Sequence, residues 1–297
     1  MTLAAAQISQ FGNLEQTLDL LSRDFVQQAL LAIALLGLLG GILGPIIVAR
    51  QMSFAVHGVS ELSITGAAAA LFIGVSVNVG GVVGAVIAAA VFGFLGNRAR
   101  ERDSVIGVVM AFGLGLAVLF MTLYGRTGTG FALLAGQVVS VGTAGLTAIS
   151  ITTVIVLIGM AIIYRPLLFA SSDPRVAQAA GVPMQALSII FAVLMGLACA
   201  QGVQIIGALL VMSLMITPGA AAARLSSNPA VVIGLSIVFA EVAAVGGLVL
   251  SLAPGLPVSV FVTTISFVIY LICRFAGPRI IASRSGDRTP RELKPAV

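Results

Sequence analysis

Residues 185–222 read "QALSIIFAVLMGLACAQGVQIIGALLVMSLMITPGAAA", a run of 38 residues without a single charge. As one helix it would be about 57 Å long at 1.5 Å per residue, nearly twice the ~30 Å hydrocarbon core of a bilayer. Two short spans with a tight turn between them fit better. The polar interruption "AQGVQ", Ala200 to Gln204, puts that turn at Gly202. The rest of the chain has the same character. It is 59% hydrophobic and 8% charged, with a mean hydropathy of +1.17. Soluble proteins carry about 25% charged residues. No soluble domain could hide this much apolar surface, so the solvent is lipid. The expected class is an all-α integral membrane protein. The 34 glycines agree, because small residues let membrane helices approach closely.

Working outward from that run gives nine apolar segments: roughly 26–49, 54–76, 79–97, 104–124, 147–165, 185–201, 204–222, 229–251 and 257–275. Lysine and arginine orient them, since cytoplasmic loops are enriched in both. With the N-terminus outside, thirteen of the fifteen basic residues fall in inner loops and the tail, leaving only Arg23 and Arg126 outside. A missed or invented span would spoil that asymmetry. The net charge of +5 thus reflects membrane orientation, not nucleic-acid binding. The organisation that follows is an extracytoplasmic polar segment (1–25), a transmembrane domain (26–276) and a basic cytoplasmic tail (277–297). The first residues lack a basic n-region and a cleavage site, so they are not read as a signal peptide but as a polar lead-in with a short interfacial helix. Cys199 and Cys273 sit in apolar runs without metal-ligand spacing and read as small buried hydrophobes.

Two loops stand out. The outer one, 125–146, contains "GTGFALLAGQ", apolar but too short to span, which suggests a re-entrant or interfacial helix. The inner one, 166–183, reads "PLLFASSDPRVAQAAGVP". Ser172 can act as N-cap, with Asp173 and Pro174 in the first turn, Gly181 as the stop and Pro183 beyond it. That is a short capped cytoplasmic helix, too polar to insert and suited to docking.

Ionisable groups inside hydrocarbon are costly and are functional candidates by default. There are three: His57 and Glu61 in the second segment, and Glu241 in the eighth. Glu241 is read either as a structural carboxylate or as a residue of a pathway. His57, the only histidine of the chain, lies four residues before Glu61, so the two share a helical face. Ser53, Gly58, Ser60, Ser63, Thr65 and Gly66 are expected to make that face small and polar. Neutral imidazole and carboxylate both bind first-row divalent cations. Two residues cannot fill a tetrahedral shell, but a second copy about a two-fold axis would supply two nitrogens and two carboxylates. The alternative is a structural pair held by hydrogen bonds. HExxH is absent and no second histidine exists, which argues against a one-chain hydrolytic site.

Several ordered motifs then carry a resemblance. They are "RQMSFAVHGVSELSITGAA" from Arg50, "RERDSVIGVVMAFGLGLAVLF" from Arg100, "DPRVAQAAGVP" from Asp173, "IIGALLVMSLMITPGAAAARLSS" from Ile205 and "GLPVSVFV" from Gly255. Over residues 26 to 276 the chain resembles the permease subunit of bacterial manganese, zinc and iron ABC importers, the ABC-3 family. The resemblance implies a multi-pass protein of the bacterial cytoplasmic membrane, working by alternating access as a dimer with a second copy of itself. It implies two partners, an ATP-binding cassette ATPase subunit and an extracytoplasmic metal-binding protein. The helix near 173–181, with Asp173, Pro174, Ala180 and Gly181, would couple to the ATPase. ATP hydrolysis would belong to that partner, in line with the lack of a GxxxxGK[ST] loop here, so the chain is a transport subunit and not an enzyme. No resident cofactor is implied; Mn, Zn or Fe is the transported substrate.

One departure concerns the metal segment. The family usually has Asp, three residues, then His; here His57 and Glu61 stand at those positions, and Thr65 stands where the family has proline. The ligand inventory is kept and its order reversed, which leaves the metal open among Mn²⁺, Fe²⁺ and Zn²⁺. Two other classes remain in view: a proton-coupled secondary transporter using Glu61 and Glu241, and an ABC permease for a siderophore or cobalamin.

Overall fold

The computed structural model describes residues 14–95, 99–124 and 141–286, and they form eleven helices. In chain order these are α1 (Leu14–Leu21), α2 (Asp24–Ala49), α3 (Ser53–Ile73), α4 (Val77–Phe94) and α5 (Ala99–Tyr124). They continue as α6 (Gly142–Ser172), α7 (Pro174–Ala179), α8 (Met184–Ile206), α9 (Ala208–Ala222), α10 (Pro229–Leu252) and α11 (Val258–Gly286). Helix suits a chain in lipid, because each helix satisfies its own backbone polar groups.

Among the described residues eight helices are long and apolar enough to cross a membrane. The remaining one of the nine apolar segments, 204–222, is also helical but shorter. α9 has 15 residues, about 22 Å, which falls short of a ~30 Å core. The break between α8 and α9 lies at Gly207, not at Gly202. Gly207 has φ +89° and ψ +155°, a conformation open to glycine alone. The chain folds back sharply there: a β-carbon on Gly202 would meet Val211 Cγ2 at 2.7 Å.

α2 and α8 are the most buried spans, whereas α5 and α11 are the most exposed. α2 packs on α6, α9 and α10, and α8 on α4, α6 and α3. α3 lies between α4 and α5, with α8 and α9 also against it. Its contact with α4 is close, since a β-carbon on Gly84 would lie 2.6 Å from the Leu62 carbonyl oxygen. Buried leucines, isoleucines and alanines of α2, α3, α8 and α9 form one continuous core.

The ends of the chain differ in detail from the sequence reading. α1 supplies the short N-terminal helix, with an exposed Asp19–Arg23 pair at 3.1 Å. α6 runs on past Arg165 through Pro166 to Ser172, so its span and the first part of the following loop form one helix of 31 residues. α11 likewise continues beyond Gly277 to Gly286, so the first part of the basic tail extends the last helix. Most of the loop 125–146, where a re-entrant or interfacial helix is expected, lies outside the described residues, as does the tail from 287.

Candidate metal-handling site

A tight turn sets the start of α3. Gln51 has φ +54°, and the Met52 N–H donates to the Ile47 carbonyl at 2.8 Å. α3 therefore begins immediately after α2 ends. His57 lies about 6 Å and Glu61 about 12 Å along its axis, counting from Ser53. For a helix of 21 residues, about 31 Å, Glu61 is close to the middle.

The side chains of α3 sort into three groups. Ser60 donates back to the Val56 carbonyl at 2.8 Å and is fully buried. Ser63 donates to the Gly81 carbonyl of α4 at 3.1 Å. Thr65 donates to the Gly113 carbonyl of α5 at 2.9 Å. Gly58 meets Phe92 and Ile106, which belong to α4 and α5. The expectation that all these residues share one small polar face with His57 and Glu61 is thus corrected. Gly58, Ser60 and Ser63 serve helix packing on other faces, where hydroxyls are satisfied by backbone carbonyls.

His57 and Glu61 remain. His57 is half-buried, with its ring 6.3 Å from that of Phe54, tilted by 48°. Glu61 is only 8% exposed. Among the described residues no hydrogen bond or ion pair engages the Glu61 carboxylate; only its backbone carbonyl accepts, from Thr65 at 3.3 Å. A structural pair held by hydrogen bonds is therefore not what the geometry presents. Phe54 was not legible as part of this site, although its i, i+3 spacing to His57 is a usable signal. Among the described residues no group of three or more His, Cys, Asp or Glu comes together, so one chain offers two donors and no closed shell.

Glu241 stands apart. It lies half-buried in the middle of α10, against α2: a β-carbon on Gly37 would sit 3.1 Å from Glu241 Oε1. The principal neighbours of α10 are α2, α9 and α11, so the fold does not bring Glu241 to the His57–Glu61 pair.

The element between α6 and α8 is built as a cap, helix and stop. Asp173, not Ser172, is the N-cap: its Oδ1 accepts the N–H groups of Arg175 and Val176, each at 3.1 Å. Ser172 instead donates to Leu168, inside α6. The carboxylate wins because it is the stronger acceptor at a positive helix end and because Pro174 then takes the first helical position. Ala180 closes α7, and Gly181 follows at φ +82°, where the Val182 N–H reaches back to the Ala177 carbonyl at 3.0 Å. Ala177 is buried, whereas Val176 and Arg175 are exposed. Beside them a groove is lined by Gln178, Val182, Pro183 and Met184.

Comparison with known proteins adds to this geometry. Residues 22–277 match the profile described as ABC 3 transport family. The manganese transport system membrane protein MntC of Halalkalibacterium halodurans is 30% identical over 265 residues, covering 88% of this chain and 90% of that protein. The high-affinity zinc uptake system membrane protein ZnuB of Haemophilus influenzae is 28% identical over 225 residues, 75% of this chain and 86% of that one. Among solved structures, a chain of PsaBC from Streptococcus pneumoniae superposes with a TM-score of 0.80 at 24% identity, covering 92% of this chain and 99% of that chain. That likeness concerns the fold.

Proposed function

The chain belongs to the ABC 3 transport family, and from that premise we propose that it is the permease subunit of an ATP-driven importer of divalent transition-metal ions. The transported substrate is Mn²⁺, Zn²⁺ or Fe²⁺, and the subunit works by alternating access as a homodimer in the bacterial cytoplasmic membrane. The observation that carries this reading is Glu61: a mid-helix carboxylate, 8% exposed, sharing a face with His57 and lacking any hydrogen-bond or ion-pair partner among the described residues. A buried charge without a partner is unfavourable, and a divalent cation offsets that cost.

Two copies would contribute two imidazoles and two carboxylates, a shell that suits all three metals. Two donors per chain hold the ion weakly enough for release. Relatives named for manganese and for zinc support the substrate class. The distance of Glu241 from this pair weighs against a proton relay joining the two glutamates and leaves Glu241 as a separate carboxylate of α10.

In this reading residues 1–25 are extracytoplasmic, 26–276 form the permease domain and 277–297 the cytoplasmic tail. α7 docks in a groove of a separate ATPase subunit through the segment Asp173 to Gly181. Its rigid capping supports that role, since a bland connector needs none. An extracytoplasmic metal-binding protein delivers the ion to the outer mouth.

The test is transport by the assembled complex in liposomes. Glu61→Gln should slow metal uptake at least about tenfold, because even outer-sphere losses cost 10–100-fold in metal affinity. Uptake at the wild-type rate, with matched ATPase activity, would remove Glu61 from the path.

A further inference from the structure

Where the span of α11 ends, two arginines from different elements converge on one tyrosine. Arg274 lies in the last turn before Gly277, and Tyr270 lies one turn earlier on the same helix. Arg224 follows the end of α9. The Tyr270 phenol interacts with the guanidinium groups of both Arg274 and Arg224. The convergence is built into the backbone: Gly277 packs directly on the Arg224 carbonyl, leaving no room for a side chain. Both arginines are exposed, and Tyr270 is half-buried.

Two guanidiniums held together repel, so such a cluster normally includes an acid. Here, among the described residues, no ion pair engages either arginine; the Arg23–Asp19 pair lies elsewhere, on α1 and the following turn. A phenol beside guanidiniums can accept from them while its own O–H donates elsewhere. The cluster thus offers three donor groups, and its one acceptor, the phenol oxygen, cannot neutralise two cations. The complementary ligand is an oxyanion with several lone pairs, and the guanidinium fork matches a phosphate bidentately.

Location selects among phosphates. The cluster closes a membrane span on the arginine-rich side of the protein, and a tyrosine one turn inside the boundary is placed at headgroup depth. We propose that Arg224, Tyr270 and Arg274 form a binding site for the phosphodiester of an anionic glycerophospholipid at the cytoplasmic face. Occupied, the site ties the end of α9 to α11. Because α9 also packs on α3, which carries His57 and Glu61, lipid composition would reach the transport helices by this route.

The experiment is native mass spectrometry of the full-length chain, counting phosphatidylglycerol and phosphatidylcholine retained after detergent exchange. Phosphatidylglycerol should be retained preferentially. Arg224→Gln and Arg274→Gln should each weaken retention about fivefold and together ~25-fold, the effect of one and two basic residues at an anionic surface. Tyr270→Phe, which removes only the hydroxyl, should weaken it less and should guard against misfolding of the double variant. Arg165→Gln, at an exposed arginine outside the cluster, should change nothing.

Equal retention by wild type, the double variant and Tyr270→Phe would overturn the proposal. So would an equal loss in Arg165→Gln, which would mean diffuse surface charge. Displacement of the lipid by inorganic phosphate at matched concentration would assign the site to free phosphate instead. Unchanged lipid retention with lost ATPase assembly would assign it to the partner subunit.

Discussion

The Thr65 hydroxyl donates to the Gly113 carbonyl at 2.9 Å, so the residue one turn beyond Glu61 ties α3 to α5. α5 is the least buried of the spans, and this bond is a specific polar link between it and the helix carrying the candidate site. Thr65→Val keeps the volume and removes the donor. The purified chain should lose about 1 kcal/mol of stability, the usual worth of one such bond. A thermal-unfolding midpoint equal to wild type would mean that the bond does not hold α5.

The cap of α7 gives a second expectation. Asp173 satisfies two backbone N–H groups that α7 cannot satisfy itself. Asp173→Ala should destabilise the helix by about 1 kcal/mol, and Asp173→Ser or Asn should largely restore it. Co-purification with the ATPase subunit should follow the same order. Normal assembly of the alanine variant would separate the capping of α7 from docking.

Gly207 supplies a third. Any β-carbon at φ +89°, ψ +155° is strained, at a cost on the order of 1–3 kcal/mol. Gly202 lies inside α8 in helical backbone, where an added β-carbon meets the Val211 side chain at 2.7 Å but adds no backbone strain. Gly207→Ala should therefore lower the unfolding midpoint more than Gly202→Ala. The reverse ranking would return the turn to Gly202.

That turn shows where sequence reading ran out. Hydropathy and arginine placement made the spans legible, because lipid demands long apolar helices and because basic residues stay on one side. Inside the charge-free run, "AQGVQ" gave the only polar cue, and polarity there does not mark a boundary. Gln201 is buried, and Gln204 donates to the Asn78 carbonyl of α4 at 3.2 Å, so both glutamines lie within helix α8. The break instead uses a glycine flanked by Ile206 and Ala208, which composition does not distinguish from 33 others. The shared face of His57 and Glu61 was legible because i, i+4 spacing survives folding unchanged. The serines around it were not, since their partners, such as the Gly81 carbonyl, come from helices distant in sequence. Arg224 and Tyr270 are 46 positions apart, and the packing of α9 on α11, close at Gly277, unites them.

The order of the proposed pair, imidazole before carboxylate, leads to the most demanding expectation. His57 and Glu61 lie on one face of α3, about 6 Å apart along the axis. Exchanging imidazole and carboxylate keeps one nitrogen and one oxygen donor per chain. It moves the carboxylate one turn toward Phe54, whose ring now contacts His57. If the ligand inventory is what transport needs, His57→Asp combined with Glu61→His should recover uptake that either single change abolishes. The recovered complex should also shift its preference among Mn²⁺, Fe²⁺ and Zn²⁺, because position and carboxylate reach change while donor types do not. Uptake of each metal by the double variant in liposomes, at matched ATPase activity, measures both effects. A double variant as inactive as Glu61→His alone would show that Glu61 acts through its position in the packed middle of α3, and that the two donors are not interchangeable.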